Sequence, residues 1–440
     1  MAVLVLVVYF VASFLLNRYL HSEAFRALLN QKTSAFLAAD GQYLSIQCNG
    51  FSFYSDGYSA RGASGTLLKA LQADQIRADF EPAALFEGAW QVSSLQIQRV
   101  KVELGNPSEP TTAISGAAAF LASPSSPPLR HSSWIPERFE LQRTQIQETE
   151  LAWTPPGREG SLKQMRLILE PSGHDLIATG FGGRLQQAGW PALRVDHLKV
   201  RCRYPELFLT DSLFQLSDSE SFNVSGQANV GPARTLDMLV KFNGIAISPY
   251  LPEDWRAGVK GNASGEAQVT GSLESLQAKG NISLTGGQLE ALPILETIAT
   301  FTRTRQFRQF TLQKAEADFA WTPTKLTVSR LDAESEGLIR LTGSFILENG
   351  MLQGEFQLGV APSSLRWLPG SRARVFTQEH DGYAWTVMKV AGPLNHLNED
   401  LTARLTAAAA EEVIQSVQGV KGTLENGAKS LFDLLKPLTP

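Results

Sequence analysis

Cysteine is almost missing from this chain: Cys48 and Cys202 are the two in 440 residues, in no CxxC and at no metal-ligand spacing. That excludes a disulfide framework and signals no zinc site; two buried free thiols are expected, with a single bridge as the alternative. Histidine is nearly as scarce. His21, His131, His174, His197, His380 and His396 are scattered, with no HxxxH or HExxH among them, so no metal or cofactor is expected. There is no GxSxG elbow and no phosphate-binding loop, and the glycines of GFGGRL do not fit GxGxxG. An excess of charge is also lacking. Lys and Arg number 39 against 43 Asp and Glu, too even a balance to gather nucleic acid. The acidic groups Asp332, Glu334, Glu336 and Glu379 to Asp381 read as solvated loop faces, so no catalytic residue is assigned and no enzyme is expected. One basic run, RTRQFR, sets Arg303, Arg305 and Arg308 together without an acid. These three could meet lipid phosphate through charge-assisted hydrogen bonds, or simply lie in an exposed helix-to-strand connection.

Long apolar runs are absent too, with one exception. Residues 2 to 16, AVLVLVVYFVASFLL, would make roughly 22 Å of helix, and extension to Leu20 brings the run near the ~30 Å of a hydrocarbon core. Arg18 and Tyr19 suit an interface. A retained anchor over residues 1–21 is the reading preferred to a cleaved signal, because no basic region precedes the run and no small-x-small site follows it. The missing basic residues ahead of Ala2 also point to a start upstream of Met1.

The rest of the chain reads as helix and strands over 22–104, a Pro/Ser/Ala-rich linker over 105–134, a central β region over 135–257, a second β region over 258–405 and an amphipathic helix over 406–440. SEAFRALLNQKTSAFLAADG has a capping Ser22, Glu23 in its first turn and Phe25, Leu28, Leu29 and Phe36 on one face, with Gly41 as its stop. LPILETIATFT predicts a short helix, and Val413, Val417, Val420, Leu424, Leu431 and Leu435 form an apolar stripe at the far end. Elsewhere alternating segments recur with turn residues every eight to fifteen positions, as antiparallel sheet requires. VTGSLESLQAKGNISL, LTGSFILENGMLQGEFQL and VAGPLNHLNEDLTARL share a glycine, a large apolar residue two positions on, a polar turn and a returning alternating strand. Such repetition favours a long curved sheet, groove-like or sandwich-like, over a closed globule.

Two stretches show which side is apolar. In WQVSSLQIQRVKVEL, residues 90 to 104, Leu95 and Ile97 alternate with polar residues, and so do Val100, Val102 and Leu104, but the phase slips at Ser93-Ser94 and again at Gln98-Arg99. A flat strand would turn half of that set outward, so the sheet must bulge and curve. In the second stretch Ile339, Leu341, Phe345 and Leu347 share a face with Gly343, and Leu352, Phe356, Leu358 and Val360 do so around Gly354. A hairpin turning at Glu348 to Gly350 would bring both sets to one side.

DFEPAALFEGAWQVSSLQIQRVKVEL, with its Leu85-Phe86-Glu87-Gly88 turn, resembles the opening of the AsmA-like envelope proteins. The stretch from Gly258 to Leu405, with GGQLEALPILETIATF and VAGPLNHLNEDLTARL, resembles their C-terminal region. The resemblance covers about 60% of the chain and implies a single-pass inner-membrane protein with its bulk in the periplasm, related to the bridge-like lipid transfer proteins. On that reading the apolar residues above line a lipid groove, Arg303, Arg305 and Arg308 meet headgroups, and the partners are phospholipid, the inner membrane and other envelope proteins. A second reading is a scaffold β-protein whose apolar faces pack on each other without a lipid.

Overall fold

The structure, a computed structural model, describes residues 18–63, 66–105, 138–154, 159–231, 234–251, 253–272, 275–290, 309–367, 370–394 and 396–418. The fold is mainly β, and the chain divides into two compact units, Met1–Arg234 and Thr235–Pro440. Most of the expected membrane anchor, LPILETIATFT, Arg303, Arg305, Arg308 and the C-terminal stripe of side chains from Val413 onward lie outside the described residues. No helix among the described residues is long and apolar enough to cross a membrane.

The first unit begins with helix α1 (Glu23–Leu37) and then strands β1 (Ala39–Tyr43), β2 (Gln47–Asn49), β3 (Ser52–Gly62), β4 (Leu68–Glu81), β5 (Ala89–Leu104), β6 (Arg138–Leu141), β7 (Thr144–Trp153), β8 (Gly160–Ser172), β9 (Asp175–Phe181), β10 (Arg184–Gln187), β11 (Leu193–Arg203), β12 (Glu206–Gln215) and β13 (Ser221–Asn229). Ser22 caps α1 by accepting the Phe25 N–H at 3.3 Å. The helix stops at Leu37, four residues before Gly41, because Ala38 takes the left-handed conformation that closes a helix end. Its apolar side buries Phe25 and Leu29, with the Phe25 ring 5.4 Å from that of Trp90. Phe36 does not join them and is 80% exposed in the last turn. The polar stripe Arg26, Asn30 and Ser34, spaced by four, bonds Ile46 C=O, Tyr43 N–H and both Gly41 backbone groups, so the outer edge of β1 is closed to further strands.

The expectation of a wholly antiparallel sheet needs one correction, since β5 pairs in parallel with β6 and β7. Parallel neighbours need a crossover of a dozen or more residues, and the Pro/Ser/Ala-rich segment between β5 and β6 supplies that length.

The second unit contains β14 (Thr235–Ala246), helix α2 (Glu253–Arg256), β15 (Val259–Ser272), β16 (Ser275–Glu290), β17 (Gln309–Leu312), β18 (Lys314–Thr322), β19 (Lys325–Ser335), β20 (Ile339–Glu348), β21 (Met351–Val360), α3 (Ser371–Arg374), β22 (Gln378–His380), β23 (Tyr383–Pro393), β24 (Asn398–Glu399) and α4 (Leu401–Gln418). Its described pairings are all antiparallel. The β20–β21 hairpin turns where its sequence predicts, with Glu348 opposite Met351 and Leu341 opposite Leu358. The last repeat does not return as an alternating strand: LTARL is already helix. The Glu399 carboxylate accepts the N–H groups of Leu401 and Thr402, which starts α4 five residues ahead of the expected position. Leu401, Leu405 and Ala408 of α4 then bury against Leu358, Val360, Val375 and Phe376. At the outer edge of β23, β22 and β24 pair with its ends, while the Arg404 guanidinium donates to Val387 C=O and Thr386 Oγ1.

Candidate functional site

In the first unit five long strands interrupt their alternation with two consecutive outward residues at neighbouring places. These are Asp74-Gln75 on β4, Gln98-Arg99 on β5, Gln147-Glu148 on β7, Lys163-Gln164 on β8 and Asp196-His197 on β11. Gln75 and Gln164 take positive φ, 52° and 60°. The interruptions are neighbours, since Asp74 faces Arg99 and Arg99 faces Glu148, at 3.1 Å as an ion pair. Together they form a crease crossing the strands. Its effect is one of parity: each strand changes phase at the crease, so the apolar residues on both sides of it stay on one face.

That face carries apolar rows in register. Ala60, Leu71, Val102, Leu151, Leu162, Leu185 and Leu193 are successive neighbours from β3 to β11. Across the crease run Ile76, Ile97, Ile146, Leu167, Gly180 and Leu198, and beside them Phe53, Ala78, Leu95, Thr144, Leu169, Ala178, Val200 and Leu209. Burial falls along these rows. Ile76 and Val100 are core, in a cluster that α1 covers with Phe25 and Leu29, whereas Leu198, Val200, Leu207 and Leu209 are half-buried. The opposite face is charged, as the Lys101–Glu103 pair at 3.4 Å illustrates.

The second unit repeats the design. One row reads Phe242, Gly265, Ile282, Ala317, Leu331, Gly343, Phe356 and Met388; another reads Met238, Val269, Ala278, Trp321, Leu326, Leu347, Leu352 and Gly392. In the first of these rows small residues alternate with large ones, and large side chains stand over a neighbour's backbone elsewhere too: at Gly354 a Cβ would come within 3.0 Å of the Phe345 and Phe356 side chains. A cleft of about 610 Å³ lies where this row, Val328, Phe345, Gly354 and Val390, is flanked by Thr327, Ser344, Gln353 and Lys389, whose parity is that of the opposite face. Among the described residues, coverage is again at one end. Ile339, Phe356, Leu358 and Val360 are buried in a core closed by α4, Leu341, Phe345 and Leu352 are half-buried at its border, and Leu347 and Ile282 are half-buried beyond it. The reverse face carries ion pairs such as Arg340–Asp332 at 3.0 Å and Arg330–Asp318 at 3.0 Å.

This unit also coils on itself. Trp255 lies in the connection from β14 to β15, and Leu394 follows β23, six strand spacings from β15 and at the opposite end of the strands. Six spacings measure about 29 Å on a flat sheet. Yet the Trp255 indole N–H donates to Leu394 C=O at 3.2 Å. The sheet between β15 and β23 is therefore curled as well as twisted.

The sequence candidates thus fall into two sets, Leu95, Ile97, Val100, Val102 and Leu104 on the first unit's face and Ile339, Leu341, Phe345, Leu347, Leu352, Phe356 and Leu358 on the second's. Sequence reasoning missed the rows on β8 to β16, whose strands alternate just as regularly but with smaller residues such as Ala178, Gly180, Ala263 and Ala267. Burial raises the thiol pKa of Cys48, against the pull of nearby Arg26, and likewise that of Cys202; both are free. Among the described residues no cluster of three or more His, Cys, Asp or Glu could hold a metal ion. No family model matches the chain, and neither a curated protein nor a solved structure matches it.

Proposed function

We propose that this is a non-enzymatic, membrane-anchored envelope protein that binds or transfers lipid, or assists outer-membrane assembly, through the uncovered part of its apolar sheet faces. The observation that carries the reading is the register. Half-buried Leu, Ile, Val and Phe side chains follow one another from strand to strand, and soluble monomers rarely leave an apolar patch beyond a few hundred Å² in water. Acyl chains suit such a surface. Each buried methylene contributes about 0.8 kcal/mol, and a face seven spacings wide, about 34 Å, accommodates a chain that spans half of a ~30 Å bilayer core. The resemblance to AsmA-like proteins favours phospholipid as the ligand, an inner-membrane anchor and a periplasmic location for the bulk of the chain, with other envelope proteins as partners. The scaffold reading keeps one specific support: Val100, Ile339, Phe356 and Leu358 are packed core beneath α1 or α4, so at those ends the faces serve stability.

The deciding experiment is lipid mass spectrometry on the protein extracted in mild detergent. Phospholipid retained at a fixed ratio to protein supports the reading. Lipid no higher than on an unrelated protein carried through the same detergent refutes it in favour of the scaffold.

A further inference from the structure

Almost immediately after the apolar run over residues 2–16 the chain is fixed to the first unit. Leu20 is 4% exposed, in the cluster that holds Phe25, Phe80 and Trp90. The Tyr19 ring, of a type that suits a membrane interface, instead stacks on Trp90 at 6.5 Å and meets Phe25 edge-on at 5.6 Å. The Ser22 hydroxyl donates to Tyr19 C=O at 2.6 Å, and the Cys48 thiol donates to Leu20 C=O at 3.4 Å. All of these contacts gather at one end of the strands. There Phe80 N–H bonds Phe51 C=O at 2.9 Å and Val92 pairs with Phe80, beside the turn from β2 to β3 and the connection from β4 to β5. The opposite end of the same strands holds the close of α1, with Phe36, and the turn from β3 to β4, with Leu67.

We propose that the first unit is seated directly on a bilayer surface by this end, with the β2–β3 turn and the β4–β5 connection against the headgroups and β3 to β5 standing up from them. The seating rests on the anchor reading of residues 1–21 and is independent of any lipid ligand. Leu16 and Tyr19 are three residues apart, and a chain extends by at most about 3.6 Å per residue, so the apolar run ends within about 11 Å of Tyr19. That leaves no tether on which the unit could swing away. The 14 residues of β4 span about 46 Å, which sets Leu67 and Phe36 well clear of the headgroup layer. With Tyr19 taken up by the core, the exposed Arg18 is the residue placed to meet headgroup phosphate.

The test uses the full chain in a Cys48→Ser, Cys202→Ser background, where the serine at 48 keeps a donor for Leu20 C=O. Asn49→Cys, Glu87→Cys, Leu67→Cys and Phe36→Cys, all at exposed positions, each carry one fluorescent label. The labelled chains are reconstituted into vesicles of phosphatidylethanolamine and phosphatidylglycerol, part of the lipid bearing a nitroxide on its headgroup. Labels at 49 and 87 should lose most of their fluorescence, and labels at 36 and 67 should keep theirs. Ten Gly and Ser residues inserted between Asn17 and Arg18 add a tether of about 17 Å, and fluorescence at 49 and 87 should then recover while the protein stays on the vesicles. Equal quenching at all four positions, stronger quenching at 36 and 67, or quenching at 49 and 87 that survives the insertion overturns the seating. Wild-type protein stripped from the vesicles by alkaline carbonate defeats the anchor and the seating together, whereas retained protein with the wrong quenching pattern defeats the seating alone.

Discussion

Aspartate placed at two positions of the second unit separates an open face from a packed one. Leu358 is 2% exposed and sits in the core that α4 closes. Leu358→Asp loses about 2–3 kcal/mol of apolar burial and strands a carboxylate whose desolvation costs several more. The sum exceeds about 5 kcal/mol, comparable to the whole stability of an ordinary domain. Ile282 stands in register between Gly265 and Ala317, half-buried and outside that core. Ile282→Asp should lose only about 1 kcal/mol of burial, and its carboxylate stays hydrated whenever the face is empty of ligand. Urea unfolding followed by circular dichroism should therefore show the second unit's transition abolished in Leu358→Asp and moved by about 1–2 kcal/mol in Ile282→Asp. Co-extracted lipid should fall sharply in Ile282→Asp although it folds. If Ile282→Asp unfolds as completely as Leu358→Asp, the middle of the sheet is packed core and the reasoning fails.

Removing the guanidinium in Arg404→Ala frees Val387 C=O and Thr386 Oγ1 at the edge of β23. A loss of about 1–2 kcal/mol and concentration-dependent association by light scattering are expected, because the edge becomes open to strand addition. Burial alone would raise the Asp332 carboxyl pKa, but its hydrogen bonds to Arg340 and Lys314 prevail and hold it below the usual carboxylate range. Its contribution to stability is therefore complete above the unfolded value near 3.9 and lost as pH falls through the folded one. Asp332→Asn should flatten that part of the acid unfolding profile measured by circular dichroism. At the crease, Gln75 with φ of 52° should tolerate glycine, Gln75→Gly shifting stability by less than about 1 kcal/mol. Gln75→Val should cost more than about 1 kcal/mol in the same urea assay.

The crease was legible in one strand and not in the others. In WQVSSLQIQRVKVEL the apolar residues are large, so the slips at Ser93-Ser94 and Gln98-Arg99 stand out against a clear alternation. The first is a bulge against Asp79 and Phe80, and the second is the crease. On β8 the same device is Lys163-Gln164, flanked by Leu162 and Met165, a pattern that reads equally as one turn of helix. The parallel pairing of β5 with β7 was hidden for another reason. Alternation reports which side chains share a face and carries no information about the direction of the neighbouring strand. The start of α4 was missed because LTARL also fits a strand, and what decides it is Glu399, whose carboxylate satisfies the first N–H groups of the helix.

The candidate site was legible as a side of the sheet but not as covered and uncovered parts. Phe356 and Leu347 have the same parity pattern around glycine, yet Phe356 is 7% exposed and Leu347 is half-buried. What separates them is distance from α4, a property of tertiary contact that no local pattern encodes. The same helices explain why uncovered strands can persist. An apolar face left in water invites edge pairing and aggregation. Here the β1 edge is occupied by Arg26, Asn30 and Ser34 of α1, and the β23 edge by β22, β24 and Arg404. Each unit thus spends a helix on sealing one edge and one end of the face together. The half-buried side chains farther along, Leu198 and Val200 in the first unit and Ile282 and Leu347 in the second, lie outside the cores that α1 and α4 close.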